Sequence, residues 1–408
     1  MQSLTRPAAV IAFFVLALLP VVLFGIDGSP YGGGLLELRE RAPFPTEWAP
    51  HMFRRLGDWF GDRIGLRQIF FRLGSDMNVG LLHLSTNRRV IVTRDNWLFF
   101  TDDDDQAAFL MPDMRGQLRF QTAEIEKIDY QLREVQQVLG SCGKTGLVLV
   151  APNKQSIYGE HLVGNEVRSV TRFDDLLHRL GTEASSMIID VRPNLRALKR
   201  IQALPLYMKT DTHWTDIGAF YTYQSIVETL ANVSRISQPQ LASLSYYQAD
   251  VEPYQGGDLA VRMLFAPWRF PDERVTLRPV STLPKISSIN VSEGYRIYSN
   301  PAGKGRLVLL GDSFSSALGG FFAQHFAQVH QYFHHHGIED LRFRGDLIAR
   351  SQADVVLVQI VERHLPQMLL EPYELSRACS GVAPANGGHD GESQQPSLST
   401  WNVGIDDH

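Results

Sequence analysis

Apolar residues fall along this chain in three patterns, and each predicts a different kind of element. The first is an unbroken run, Ala8 to Ile26, 19 residues without a charge. As a helix it reaches roughly 28 Å, close to the hydrocarbon thickness of a bilayer. Arg6 precedes it and Asp27 follows, a bias that puts the N-terminus in the cytoplasm and the body outside. A cleaved signal peptide has the same basic start and apolar stretch. Because Phe24-Gly25-Ile26-Asp27 offers no small-residue cleavage site, residues 1–26 are expected to be a transmembrane anchor or uncleaved signal.

The second pattern is three-to-four spacing. Between Trp48 and Leu84, Phe53, Leu56, Trp59, Phe60, Ile64, Leu66, Ile69, Phe70 and Leu73 recur at helical intervals with basic residues between them, predicting helices packed on the body. Leu118, Ile125, Ile128, Leu132, Val135 and Val138 predict an amphipathic helix over Leu118–Leu139. The third pattern is the short continuous run: Gly146–Val150, Met187–Val191, Arg306–Leu310 and Asp354–Ile360. Such runs suit strands buried on both faces of a parallel sheet. Helical stretches at Arg172–Leu180, Asp216–Leu230 and Ser316–Val329 lie between them. The alternation predicts a three-layer α/β fold with a mostly parallel sheet and functional loops at the strands' C-terminal ends.

Breakers divide the chain. Gly32-Gly33-Gly34 and Pro43-Phe44-Pro45 make Gly28–Pro45 a tether, and beyond Cys379 a Gly, Ser, Pro, Asn and Gln composition predicts a disordered tail. The expected organisation is an anchor (1–26), a linker with juxtamembrane helices (27–89), one catalytic domain (90–375) and the tail (376–408). No internal repeat is evident.

At 408 residues and 44% apolar content the chain can bury a sizeable core. A net charge of −5 and a pI near 6.2 give no basic field for a nucleic acid, while a neutral sugar polymer or a small ester is compatible. Cys142 and Cys379 are the only cysteines; in an oxidising compartment they can form one disulfide, and elsewhere they can be two buried thiols. Asp102–Asp105 lacks the spaced oxygens and glycine of a calcium loop and reads as a solvated turn. His330 and His334-His335-His336 cannot all aim at one ion from a regular element, and no cysteine or carboxylate set completes a site. Neither a metal nor a cofactor is expected.

Candidate chemistry sits at two element boundaries. Leu307-Val308-Leu309-Leu310-Gly311-Asp312-Ser313-Phe314 puts Ser313 after a buried strand and before a helix predicted to begin near Ser315. A hydroxyl there stands at the sheet's C-terminal edge, with backbone N–H groups able to face an oxyanion. A serine needs a base, and the base needs an orienting group. Asp211-Thr212-His213-Trp214 offers both: Asp211 can orient Nδ1–H of His213 while Nε2 faces Ser313. Read blandly, Gly-Asp-Ser is a turn and Asp-Thr-His-Trp leads into a helix near Asp216 with Thr215 as its cap. Both elements in one α/β chain favour a triad.

These residues resemble the SGNH hydrolase superfamily, specifically its alginate O-acetyltransferase (AlgJ/AlgX-like) branch, in which the Asp-x-His element precedes the serine as it does here. Asp95-Asn96-Trp97-Leu98-Phe99-Phe100, Val150-Ala151-Pro152-Asn153-Lys154 with Ile157-Tyr158, Gly256-Gly257-Asp258-Leu259 and Val361-Glu362-Arg363 are similar to further motifs of that branch, so the likeness covers approximately residues 90–370. The resemblance implies that Ser313 carries an acetyl group, His213 is the general base and Asp211 orients it. The oxyanion asparagine block of ordinary SGNH esterases is missing. Asn153 and the Gly256-Gly257 loop are candidates for the second oxyanion donor beside the Ser313 N–H, and Asn153 can equally cap a turn. Lys154 and Arg363 can contact an anionic sugar or a carbonyl oxygen, or close salt bridges; Trp214 can stack on a sugar or pack in the core.

The expected function is O-acetylation of an exported polysaccharide through an acetyl-serine, in the periplasm, with the chain held as a single-pass protein in a bacterial inner membrane. The resemblance implies a membrane-bound O-acyltransferase-type partner that supplies the acetyl donor. Two alternatives use the same fold: a polysaccharide acetylesterase with the same triad, and a non-catalytic scaffold of a secretion complex.

Overall fold

The structure, a computed structural model, describes residues 5–24, 42–46, 51–65, 67–81, 84–103, 108–162, 170–233, 243–280, 283–292, 294–333, 343–370 and 372–380. Most of the tether, Asp104-Asp105, His334–His336 and the tail beyond residue 380 lie outside the described residues. In chain order the strands are β1 (Val90–Val92), β2 (Leu98–Phe100), β3 (Asp102–Asp103), β4 (Ala108–Phe109), β5 (Thr145–Ala151), β6 (Ile188–Asp190), β7 (Tyr247–Tyr254), β8 (Asp272–Pro279), β9 (Ser287–Ser292), β10 (Tyr295–Ser299), β11 (Arg306–Gly311), β12 (Gln328–Phe333) and β13 (Val355–Val361).

Seven of these form one sheet in the order β6-β5-β13-β11-β12-β10-β9. The four predicted apolar runs are β5, β6, β11 and β13, and they pair in parallel, as does β12 with β11. Their lack of alternation has a direct cause. Along β11, Leu307 and Leu309 enter a core on one face and Val308 and Leu310 enter a second core on the other; β13 divides Leu357 from Val356 and Val358 in the same way. The helices Asp216–Val233 and Arg192–Leu198 cover the first face, and Thr122–Ser141, Arg172–Arg179 and Gly345–Ser351 cover the second. Truncating one of these fully buried leucines to alanine costs about 2–5 kcal/mol.

The sheet is mixed, which corrects the expectation of a mostly parallel one. β10 runs antiparallel to both β12 and β9. The β9–β10 connection is a tight hairpin, and short hairpins join only antiparallel strands. Gly294 sits in it at φ +75°, where a Cβ would lie 2.8 Å from Phe333 O, so the turn requires glycine. A second correction concerns the helix predicted over Ser316–Val329. The chain instead makes a 3-10 turn (Ser313–Ala317) and one short helix (Gly319–Phe322) before entering β12. Gly319 and Gly320 are poor helix formers, and Asn300 Nδ2 donates to the Ala323 carbonyl at 2.8 Å, where the helix stops.

The N-terminal expectation is corrected as well. The described helix is Thr5–Val22, and among the described residues no helix is long and apolar enough to cross a membrane. It opens on Thr5-Arg6-Pro7 and gives way to a turn at Leu23-Phe24, and Gly25 and Ile26 lie outside the described residues. The apolar part, Ala8–Val22, then rises only about 22 Å against the ~30 Å hydrocarbon core. The helix Met52–Gly61 buries none of its residues, contrary to the packing expected on the body; Trp59 and Phe60 contact Phe24 instead. The grip on the body comes later, through buried Val79 and a Ser75 hydroxyl donating to the Leu264 carbonyl.

Cys142, which ends the helix Thr122–Ser141 just ahead of β5, is disulfide-bonded to Cys379 across 237 positions.

Candidate active site

Two loops at the C-terminal edge of the sheet meet here. The first, Tyr207–Trp214, is pinched at its base by an antiparallel bridge between those two residues, with the Thr215 N–H donating to the Leu206 carbonyl at 2.9 Å. Inside it the chain turns back on itself. Asp211 Oδ1 accepts the backbone N–H of His213 at 2.9 Å and stands 2.6 Å from His213 Nδ1. The i, i+2 pair therefore shares one side of the loop because the aspartate bonds both the backbone and the ring of its neighbour. Lys154 secures the loop from below: its ammonium donates to the carbonyls of Met208 (3.1 Å), Lys209 (2.9 Å) and Asp211 (2.6 Å).

The second loop follows β11. A Cβ on Gly311 would lie 2.6 Å from Ser315 Cβ and 2.7 Å from Gln359 Oε1, so only glycine lets the chain pass there. Asp312 caps the 3-10 turn, its Oδ1 accepting the Phe314 N–H at 2.9 Å, while Oδ2 accepts the Val361 N–H at 2.7 Å. The turn lifts Ser313 out of the sheet edge, where it is exposed. Its Oγ stands 2.7 Å from His213 Nε2, a contact between residues 100 positions apart. With Nδ1–H donating to Asp211, Nε2 is left as the acceptor of the serine hydroxyl.

A third element completes the frame. Asp258 N–H donates to Asp211 Oδ2 at 2.9 Å, and the Asp258 carboxylate accepts the Thr212 N–H (2.8 Å) and hydroxyl (2.5 Å). Asp258 Oδ2 lies 3.8 Å from His213 Nδ1. Burial alone pushes the Asp211 carboxyl up; the hydrogen bond and charge of His213, with the N–H groups of Asp258 and His213, outweigh it and hold Asp211 well below the usual carboxylate range. Burial pushes His213 down, but Asp211 as hydrogen-bond partner and the charges of Asp211 and Asp258 raise it above an ordinary histidine, against a smaller opposing effect of Arg363. Asp258 is raised, first by burial and then by the charge of Asp211.

This constellation lies in a recognisable sequence frame. Residues 90–359 match the family described as the SGNH hydrolase-like domain of the acetyltransferase AlgX. The chain belongs to that family. A curated relative, described as the probable alginate O-acetylase AlgJ of Pseudomonas putida, is 24% identical over 168 residues, 41% of this chain; the chain spans 40% of that relative's length. Among solved structures, PatB1 of Bacillus cereus superposes with a TM-score of 0.51 at 16% identity, covering 69% of this chain and 98% of that one, which bears on the fold alone. The O-acetyltransferase domain of Pseudomonas putida AlgJ has 22% identity and a TM-score of 0.43 over 70% of this chain and 94% of that domain.

Within this AlgX-family domain Ser313 and His213 open onto a cleft of about 1100 Å³. Its walls are β8 (Arg274, Thr276), the β9–β10 hairpin (Asn290, Tyr295, Arg296) and Tyr254. Arg274 lies over the Tyr254 ring at 4.3 Å, and Arg296 donates to Asn290 Oδ1 at 2.7 Å.

Of the remaining sequence candidates Trp214 lines the cleft and the others fall around it. Lys154 is 2% exposed and its ammonium, pushed by burial down to about 8 against the charges of Asp258, Asp211 and Asp272, is spent on the loop carbonyls; it holds the loop from beneath and does not face the cleft. Asn153 is buried, its backbone N–H donates to Glu362 Oε2 at 3.0 Å and its side-chain Oδ1 has no partner; it makes no side-chain cap. Trp214 is a buried wall residue that packs edge-on against Phe314 at 5.1 Å, so its ring is taken by the core. Gly257 lies against Thr210, whose carbonyl oxygen a Cβ would strike; the glycine lets the Asp258 loop close on the triad loop. Arg363 straddles the rings of Phe100 and Phe314 at 5.6 and 5.7 Å. Neighbouring Glu362 forms a buried ion pair with Arg192 at 3.2 Å.

Sequence reasoning does not single out Asp258 or Asp312. Asp312 stood in plain view within Gly-Asp-Ser; its use as a strap to Val361 depends on β13 lying beside β11. Asp258 is visible only in the Gly256-Gly257-Asp258-Leu259 motif. Among the described residues Asp211, His213 and Asp258 offer ligand atoms within 4.8 Å of one another; the hydrogen bonds joining His213 to Asp211 and Thr212 to Asp258 already use these atoms. His330, from the histidine-rich stretch, bonds Tyr295 through Nδ1 at 2.8 Å.

Proposed function

We propose that this chain is a serine-dependent O-acetyltransferase that modifies an exported polysaccharide. The observation that carries the reading is the continuous array Asp211–His213–Ser313, at 2.6 and 2.7 Å, on the rim of an open cleft. His213 Nε2 takes the Ser313 proton as Oγ attacks an acetyl carbonyl, and the imidazolium that forms is stabilised by Asp211. Charge on the carbonyl oxygen is held by the Ser313 N–H; the Phe314 N–H is unavailable because Asp312 already uses it. Collapse returns the proton to the leaving oxygen and leaves acetyl-Ser313. A sugar hydroxyl then gives its proton to His213 and attacks the acetyl carbon, and Ser313 Oγ regains a proton as it leaves.

The AlgJ and AlgX relatives support a polysaccharide acceptor. The family resemblance supports a membrane-bound O-acyltransferase-type partner as the source of acetyl groups. The Cys142–Cys379 disulfide supports an extracytoplasmic, periplasmic setting. The −5 net charge supports no nucleic-acid partner. The exposure of Ser313 keeps a second reading in play: water, which reaches an open serine, can deacylate the enzyme and make it an acetylesterase.

The test is mass spectrometry of the full chain after exposure to a chromogenic acetyl ester, with and without oligosaccharide. One acetyl group on the Ser313 peptide and acetylated oligosaccharide support transfer; acetate alone supports hydrolysis. A protein that stays unacetylated, with polymer acetylation in cells unchanged by Ser313→Ala, overturns the enzymatic reading and leaves the scaffold.

A further inference from the structure

His213 stands between two carboxylates, and the reaction as described uses only one of them. Asp258 reaches the site from a loop 47 positions after Asp211. Its three hydrogen bonds form a reciprocal clasp: its own N–H binds the outer oxygen of Asp211, and both its carboxylate oxygens bind Thr212, the residue between Asp211 and His213.

We propose that Asp258 is a positioning residue for the base: it locks the Asp211 carboxylate against His213 and places a second negative charge 3.8 Å from His213 Nδ1. The inference rests on the reading of His213 as general base and adds a residue to it. Three features of the clasp support it. Gly257 packs so tightly on Thr210 that any side chain would push the Asp258 loop away. The Leu259 and Ala260 N–H groups both donate to the Thr210 carbonyl, at 3.2 and 3.3 Å, so the loop is anchored after Asp258 by these bonds and before it by the packing of Gly257. The clasp also explains how Asp211 keeps one orientation, since Oδ1 serves the ring and the backbone of His213 while Oδ2 is held by Asp258.

The electrostatic surroundings fix the sign of the effect. Around His213 the negative groups are Asp211 and Asp258, and the opposing positive group is Arg363. Lys154 faces both aspartates from below, with Asp272 beside it, and Tyr254 lies on the cleft side of the pair. Removing the Asp258 charge leaves Arg363 less opposed, so protonated His213 becomes less favourable. A second carboxylate thus trades a slightly later onset of activity with rising pH for a base that is held in place and better stabilised as imidazolium when it carries the serine proton.

The test is the His213 titration in the full-length protein, followed by NMR of histidine-labelled samples, for wild type, Asp258→Asn and Thr212→Val. The clasp predicts a His213 pKa lower by about half a unit or more in D258N, since a close charge shifts a neighbour by roughly that much or more. A smaller shift in the same direction is expected in T212V, where the carboxylate keeps its charge and its bond to the residue-212 N–H and loses only the hydroxyl half of the clamp. The acid limb of kcat/KM toward a chromogenic acetyl ester moves with it, and kcat falls by about ten- to a hundredfold with KM little changed, since a displacement of about 1 Å at a reacting group can cost roughly a hundredfold. If D258N does not fold, T212V decides alone. A His213 titration equal to wild type in every folded variant overturns the proposal. Because the NMR readout needs no turnover, an inactive wild type would count against the acetyltransferase reading and leave this test intact.

Discussion

The Asp312 carboxylate ties two parallel strands together at the point where Ser313 emerges: one oxygen accepts the Val361 N–H at 2.7 Å, from the end of β13, while the other caps the turn that carries the serine. The residue therefore sets the height of Ser313 above the sheet. Asp312→Ala leaves two buried N–H groups without partners, at a cost of about 1–3 kcal/mol for each unsatisfied group. Denaturant unfolding should show that loss, and turnover of an acetyl ester should fall at least tenfold in protein that remains folded. Asp312→Asn, which keeps one acceptor, should fall between alanine and wild type.

The raised His213 sets the direction of the pH response. A general base works only when neutral, so activity rises with pH through the His213 pKa, which lies above the ordinary ~6.5 of histidine. The acid limb of kcat/KM is therefore expected above that value. Asp211→Asn removes the partner that raises it, and the residual activity, about 10⁴-fold lower as in comparable triads, should show its acid limb at lower pH. A limb in D211N coinciding with that of wild type would count against the assigned roles.

Lys154 holds three carbonyls of the triad loop with one ammonium. Lys154→Met keeps much of the volume and deletes every donor, leaving buried carbonyls unpaired. A loss of about 1.5–3 kcal/mol is expected from hydrogen bonds to a charged group, together with a kcat loss larger than any change in KM. Lys154→Arg should fail to restore the wild-type rate, because a planar fork cannot aim at three carbonyls converging on a point. Thermal unfolding and steady-state kinetics on the two variants check both statements.

Gly257→Ala places a methyl against the Thr210 carbonyl. Overpacking of that kind costs about 1–3 kcal/mol, and the Asp258 loop must shift to relieve it. Turnover should drop in parallel with the Asp258 variants, and the His213 titration should move in the direction expected for D258N. Retained wild-type kinetics in G257A would show that the loop has room to spare.

The Cys142–Cys379 bridge closes a separation of 237 residues and pins the segment after the helix Leu365–Leu370 to the helix Thr122–Ser141. Reduction, or Cys379→Ser, is expected to lower stability by about 2–4 kcal/mol, read as a lower denaturant midpoint. Ester turnover in the folded variant should stay within about twofold, since Cys142 precedes β5 at the sheet edge opposite the one that carries Ser313.

Much of the scaffold was legible in the residues because burial on two faces leaves a strong mark. β5, β11 and β13 are read correctly to within a residue because burial on both faces leaves them almost wholly apolar, with Gln359 in β13 the buried polar exception. β12 escaped for the opposite reason: Gln328-Val329-His330-Gln331-Tyr332-Phe333 carries polar residues that the fold buries with partners of their own, Gln331 Nε2 donating to the Ser315 carbonyl at 2.6 Å and His330 bonding Tyr295. A local pattern cannot anticipate such partners. The strands that make the sheet mixed escaped too, because β9 is an exposed edge whose residues are all solvent-facing and so gives no alternation of apolar and polar positions.

The sequence by itself determined the α/β architecture and the residue types of the site, since a short motif such as Asp211-Thr212-His213 fixes an i, i+2 geometry and Gly311-Asp312-Ser313 fixes a strand-to-turn exit. Tertiary structure alone decided what stands against what. Groups 100 and 47 positions apart, two side chains in the first case and a backbone N–H and a carboxylate in the second, are brought to 2.7 and 2.9 Å by the pairing of strands and the closing of loops, and a long-range contact is recorded in no local pattern. That is why Lys154 stands as a support beneath the loop and Asp258 as a second carboxylate beside His213: each place is set by its neighbours in space.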